Sequence, residues 1–151
     1  MIRVRRYIPP DRAFILRLAP RLAIGMQRWR DVKLWLATVE IWLTESMDQH
    51  NQKTVVFVAE DERGEQLGFA TVSHSNHCTG QPQAYIGELA TSDTFEGHGV
   101  GTALVEACEL WAREQSYMLL TLTTGAANAR ALSFYRKRGF QDEDVNLTKL
   151  L

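Results

Sequence analysis

The stretch Ser92–Trp111, SDTFEGHGVGTALVEACELW, sets glycines at 97, 99 and 101 directly before a run with helical periodicity. Glycine costs about 0.5–1 kcal/mol relative to alanine inside a regular element, so three in alternation imply a local need. A helix start supplies one. The first amides of a helix have no intrahelical partner and carry the positive end of its dipole, so a close-approaching anion such as phosphate can sit on them. Two common phosphate signatures fail. A dinucleotide turn G-x-G-x-x-G counted from Gly97 requires glycine where Thr102 stands, and the Gly-Lys-Ser/Thr ending of a triphosphate loop is absent.

Other reactive side chains carry weaker signals. His74, His77 and Cys78 fall together in HSNHC. Without a fourth ligand this loop is expected to edge an acceptor site, and no metal is expected. Cys108 shares i, i+3, i+4 spacing with Val100, Ala103, Leu104, Ala107 and Trp111, which makes it core filler and not a nucleophile. Two cysteines make no disulfide framework.

The elements that must position this turn follow from periodicity. IRVRRY alternates as a strand, with Arg3, Arg5 and Arg6 expected on its solvent face. PPDRAFILRLAP has helical spacing through Phe14, Ile15 and Leu18, and Gly25 in AIGMQRW breaks it. A second helix follows Asp31, with Trp35, Val39, Trp42 and Leu43 on one face and both tryptophans assigned to the core. TVVFVAED and EQLGFATVSH make a hairpin about DERG, and AYIGELAT is the next strand after the loop SNHCTGQPQ. After the glycine turn and its helix come a strand in YMLLTLTT, a short helix in NARALSFYRKRG and a closing strand in VNLTKLL. The order β-α-α-β-β-β-α-β-α-β predicts an α/β (α+β) fold, a mixed central β-sheet flanked by helices.

The 151 residues suffice for one core, and a net charge of −1 gives no support for nucleic-acid or membrane-surface binding. No run of eighteen apolar residues and no signal-peptide core occurs, so a cytoplasmic protein is expected.

EGHGVGTAL after a strand resembles the pyrophosphate turn of the GNAT superfamily of N-acetyltransferases, Arg/Gln-x-x-Gly-x-Gly/Ala, with Gly99 and Gly101 at its small positions. NARALSFYRKRGF resembles the second signature of that superfamily at Asn128, Ala131, Phe134, Tyr135, Gly139 and Phe140. The resemblance implies one GNAT-type acyl-CoA N-acyltransferase domain over residues 1–151, with acetyl-CoA as co-substrate. Its pyrophosphate would rest on the amides of Glu96, Gly97, His98, Gly99, Val100, Gly101 and Thr102. The pantetheine arm would pair with Leu89, Ala90 and Thr91, with Asn128 touching it from the last helix. Tyr135 would act as general acid for the leaving thiolate, with packing as its other reading.

Glu88, on the same strand, is placed to take a proton from the acceptor, its apolar neighbours raising its pKa; pairing with a cation or facing solvent is the other reading. Trp29 lies where this superfamily builds its acceptor pocket, and packing competes with that role. The implied activity is direct transfer of acetyl to a primary amine, with a non-catalytic acyl-CoA-binding module as the alternative. Partners reduce to a small-molecule or peptide amine, with a homodimer left open. Glu96 departs from the pattern, standing at the Arg/Gln position. It would repel the pyrophosphate unless offset by His98 and Arg130, so affinity is expected to rise from Glu to Gln to Arg.

Overall fold

Thr54–Glu60 carries β-branched or apolar residues on both its faces, the pattern of a strand covered from two sides. In a computed structural model of the chain, which describes residues 1–151, this segment is the second of five strands. They are β1 Arg3–Arg6, β2 Thr54–Glu60, β3 Gln66–Asn76, β4 Pro82–Thr91 and β5 Leu120–Leu122, in one sheet ordered β1-β2-β3-β4-β5. The first four pair antiparallel; β5 joins β4 in parallel. Four α-helices accompany them: α1 Arg12–Arg17, α2 Val32–Asp48, α3 Val100–Glu114 and α4 Ala129–Lys137. None is long and apolar enough to cross a membrane.

Both sheet faces are covered. Val55, Phe57 and Ala59 pack with Val100, Leu104, Cys108 and Trp111 of α3. Val56, Val58 and Phe69 pack with Phe14 and Ile15 of α1 and Val39 and Leu43 of α2. Each fully buried side chain of this kind contributes on the order of 1.5–3 kcal/mol. Asp31 starts α2 by accepting from the amides of Lys33 and Leu34, at 2.9 and 3.1 Å.

Several sequence expectations are corrected. VNLTKLL forms no strand: residues 140–151 carry no regular element, and Val145 and Leu147 are exposed. Its apolar spacing has no sheet partner to bury against. Helix α1 stops at Arg17, and a 3₁₀ segment, Ala19–Ala23, carries the chain to Gly25. Arg5 does not lie on a solvent face. It binds Asp11 at 2.7 and 2.9 Å and Glu60 at 2.7 Å, satisfying two carboxylates that are almost fully buried.

Candidate active site

The site begins with a phase slip in β4. Ala70 pairs with Leu89 and Val72 with Ile86, so Thr71 alone stands opposite Gly87 and Glu88, a β-bulge. Ala84 and Ile86 face the α3 side of the sheet, whereas Ala90, an even number of residues on, faces the α1/α2 side. The extra residue absorbs the change of face and turns Glu88 toward α2. There it lines a cleft of about 320 Å³ with Thr71, Ser73, Tyr85 and Gly87 of the sheet, Trp42, Glu45 and Ser46 of α2, and Gln49 at its C-terminal cap. The Thr71 hydroxyl donates to the Glu88 carboxylate and accepts from the Glu88 amide at 3.0 Å. Burial pushes the Glu88 carboxyl up, against the opposing effect of that Thr71 bond. Ten residues line the cleft; two are carboxylates and none is Lys, Arg or His.

Beyond the bulge β4 loses a neighbour. Strand β5 pairs only with Ala84–Ile86, so Leu89, Ala90 and Thr91 are bonded to β3 on one side and open on the other. That open edge runs into the glycine turn. Gly99 is the N-cap of α3 at φ +87°, a left-handed conformation that favours glycine. Gly101 answers a different need: a Cβ there would lie 3.1 Å from the Phe134 ring. The amides of Gly97, Gly99, Val100, Gly101 and Thr102 donate to no protein acceptor.

Arg138, which sequence reasoning missed, reaches the same helix start. Its guanidinium lies 3.7 Å from the Phe134 ring centroid, and one Nη donates to the Thr102 hydroxyl. Its Nε is buried without a partner. Glu96 is paired with both Arg21 and Arg130, whereas His98 Nδ1 meets the Glu96 carbonyl at 3.0 Å and not its carboxylate.

Asn128 is committed twice over. Its Oδ1 caps α4 by accepting from the Ala131 amide at 3.1 Å, and its Nδ2 donates to the Ile24 carbonyl at 3.4 Å. Tyr135 packs edge-on between Phe134 and Phe140, with centroids 5.1 and 5.5 Å away. Its hydroxyl has no protein partner, and burial, reinforced by the nearby Cys108 thiol, pushes its pKa up to about 12. The ring does not line the α2 cleft.

Trp29 and Trp42 are both partly exposed, at 38% and 44%. Trp29 lies in the turn before α2 and does not reach the cleft, whereas Trp42, assigned to the core, lines it. Helical spacing put Trp42 beside Val39 and Leu43; those two stay buried against the sheet, whereas Trp42 stands at the margin of that face, edge-on to Trp35. Trp35 does pack inward, its Nε1 donating to the Leu22 carbonyl at 3.1 Å. The HSNHC side chains disperse: His74 pairs with the Tyr117 hydroxyl at 2.6 Å, and His77 with Thr79 at 2.9 Å.

A mixed five-stranded sheet covered by helices, with free amides at the start of the helix after β4, is the fold of a GNAT-type acyltransferase. The sequence profile of the acetyltransferase (GNAT) family matches residues 26–140, and the chain belongs to that family. It is 34% identical over 85 residues to a mycothiol acetyltransferase of Propionibacterium freudenreichii subsp. shermanii, a match covering 56% of this chain and 27% of that protein. The chain spans 27–33% of the length of the curated relatives it matches. The fold superposes on an acetyl transferase structure from Pyrococcus furiosus with a TM-score of 0.79 at 22% identity, each chain covered completely. It also superposes on AAC(6')-Iy in complex with a bisubstrate analog, CoA-S-monomethyl-acetylneamine, with a TM-score of 0.70 at 20% identity over 100% of this chain and 99% of that one.

Proposed function

We propose that residues 1–151 form one catalytic unit that moves an acetyl group from acetyl-CoA to a primary amine by direct attack. The observation that carries this reading is β4 itself: its bulge turns Glu88 into a cleft, and its open edge leads to a row of unpartnered amides. The diphosphate of the co-substrate fits those amides and the orphaned Arg138 Nε, and its arm fits the free edge of Leu89–Thr91. Acetyl-CoA supplies the activated thioester. Glu88 takes the proton released when the amine nitrogen bonds to the acyl carbon, and Tyr135 supplies the proton that accompanies the departing sulfur as the C–S bond breaks. A phenol with its pKa pushed up to about 12 keeps that proton throughout the neutral range. Neither cysteine lines the cleft, and burial pushes the Cys108 thiol up to about 12, which favours direct transfer over an acyl-enzyme. Two carboxylates with no lining cation favour an acceptor that arrives as an ammonium.

Acetyl-CoA should raise the melting temperature, by a stabilisation of about 2.7 kcal/mol at roughly a hundred times its dissociation constant, with NAD and ATP doing much less. Thiol release across a panel of amines then separates an enzyme from a non-catalytic acyl-CoA-binding module. No melting shift with any coenzyme A species at millimolar concentration would sink the reading.

A further inference from the structure

The carboxylate that departs from the family pattern is also the most heavily paired group at the turn. One Glu96 oxygen meets the Arg21 guanidinium and the other lies 2.8 Å from Arg130 Nη1. Arg21 arrives from the 3₁₀ segment between α1 and α2, and Arg130 from the first turn of α4. Two guanidinium groups on one carboxylate leave a positive charge unbalanced beside five amides that donate to nothing. Both ends are accessible: the Arg130 side chain is 69% exposed, Glu96 33% and Arg21 23%. A phosphate offers a guanidinium the same forked pair of acceptor oxygens as a carboxylate does, with more charge.

We propose that Arg21 and Arg130 are phosphate-binding residues of the co-substrate, and that Glu96 holds them in the free protein until a phosphate displaces it. This rests on the reading of the turn as the acetyl-CoA site. It has a mechanical consequence, because Arg21 belongs to a strap that closes against α4. The Ile24 carbonyl accepts from Asn128, and a Cβ on Gly25 would fall 2.5 Å from Asn128 Cβ. When Arg21 passes from Glu96 to phosphate, the docking of the strap comes to depend on the co-substrate. Cofactor loading and closure of residues 19–25 thus become one equilibrium.

The test is calorimetric titration of the free protein with CoA and with dephospho-CoA, which needs no turnover. Glu96→Gln should bind CoA about threefold to tenfold more tightly at low salt, the gain shrinking at physiological ionic strength. Arg21→Gln and Arg130→Gln should each cancel that gain when combined with Glu96→Gln, while Arg130→Lys keeps part of it. A gain with both ligands assigns the arginines to the diphosphate; a gain with CoA alone assigns them to the 3′-phosphate. Amide hydrogen exchange at residues 19–25 should quicken in ligand-free Glu96→Gln and slow again with CoA. Unchanged or weaker affinity of Glu96→Gln overturns the proposal, as do arginine variants that lower the melting temperature without altering affinity. Wild-type protein that ignores CoA altogether removes the reading of the turn and this proposal with it, a result distinct from wild-type binding that the variants fail to change.

Discussion

Replacing Glu88 with glutamine keeps the side-chain shape and an oxygen to accept from Thr71, and removes the proton acceptor at the bulge. An alkylamine with a pKa near that of lysine, about 10.4, is neutral to roughly one part in a thousand at pH 7.5 and one part in ten at pH 9.5. With Glu88 present, an amine that enters as its cation is deprotonated on the protein, so turnover should be nearly flat above the raised Glu88 pKa. Without it, turnover should follow the neutral fraction and climb about tenfold per pH unit. The deficit, about 10²–10⁴-fold at neutral pH for a general base, should therefore shrink about 100-fold by pH 9.5. Stability gives a second readout with its own sign. Burial raises the folded-state pKa of Glu88 above its unfolded value, so its contribution is complete below the unfolded pKa and is lost as pH rises through the folded one. Glu88→Gln should match wild type at pH 4 and melt higher at pH 8, by about 2–4 °C for each 1 kcal/mol relieved. A rate deficit equal at every pH would refute base catalysis and leave Glu88 a positioning role. A variant that melts lower at pH 8 would refute the burial argument, because the Thr71 bond to the carboxylate would then outweigh desolvation.

Other perturbations separate the remaining roles. Tyr135→Phe removes a hydroxyl that bonds to nothing in the protein, so melting and CoA affinity should hold while turnover falls about 10- to 100-fold; unchanged turnover would assign the ring to packing alone. Gly25→Ala should destabilise by about 1–3 kcal/mol from its φ of +81°, with a further loss from the 2.5 Å contact at Asn128. Gly64→Ala is the control, having the same φ and nothing within 4 Å, and equal losses in the two variants would mean the strap simply moves aside. Burial acts to raise the Asp11 carboxyl, yet hydrogen bonds from Arg5, the Ile8 amide and Gln66 hold it below its ordinary value. Its contribution is present above the unfolded pKa and fades as pH falls through the folded one, so Asp11→Asn should cost stability at pH 7 and little at pH 2, as urea unfolding at the two values would show.

The first five strands, the helix order and both ends of the glycine turn were legible because each is written in local spacing, whereas the sixth strand expected in VNLTKLL is absent. Val55 to Ala59 alternate between two covered faces, and Asp31 and Asn128 announce the helices they cap. What escaped depends on pairing between distant segments. Nothing in AYIGELAT alone says that Thr71 will face two residues, since its buried positions, 84, 86 and 90, keep even spacing straight through the bulge. Trp42 has core spacing and a cleft position, since periodicity reports which face of α2 turns inward but not which residues at the margin of that face border a cleft. Glu96 stood out as a departure, yet one of its partners lies 75 residues upstream, in a segment whose sequence carries no mark of the contact.

The division of labour along β4 explains why those long-range features matter more than the motif residues that announce them. On the proposed reading, one strand serves two substrates that approach from different sides. Its bulge gives the α2 cleft a carboxylate, and its open edge, Leu89–Thr91, begins at the next residue and leads to the glycine turn. A regular strand would send Glu88 toward the α3 core, where an unpaired carboxylate costs several kcal/mol. A longer β5, paired through Thr91, would satisfy the edge and shut the slot. The unpaired edge leaves backbone groups of Leu89–Thr91 without a strand partner on one side, where an extended substrate arm could supply one. On that reading the proposed chemistry depends on the register that delivers Glu88 as much as on its identity: moving the bulge by one residue would preserve every motif in the sequence and turn the carboxylate out of the cleft.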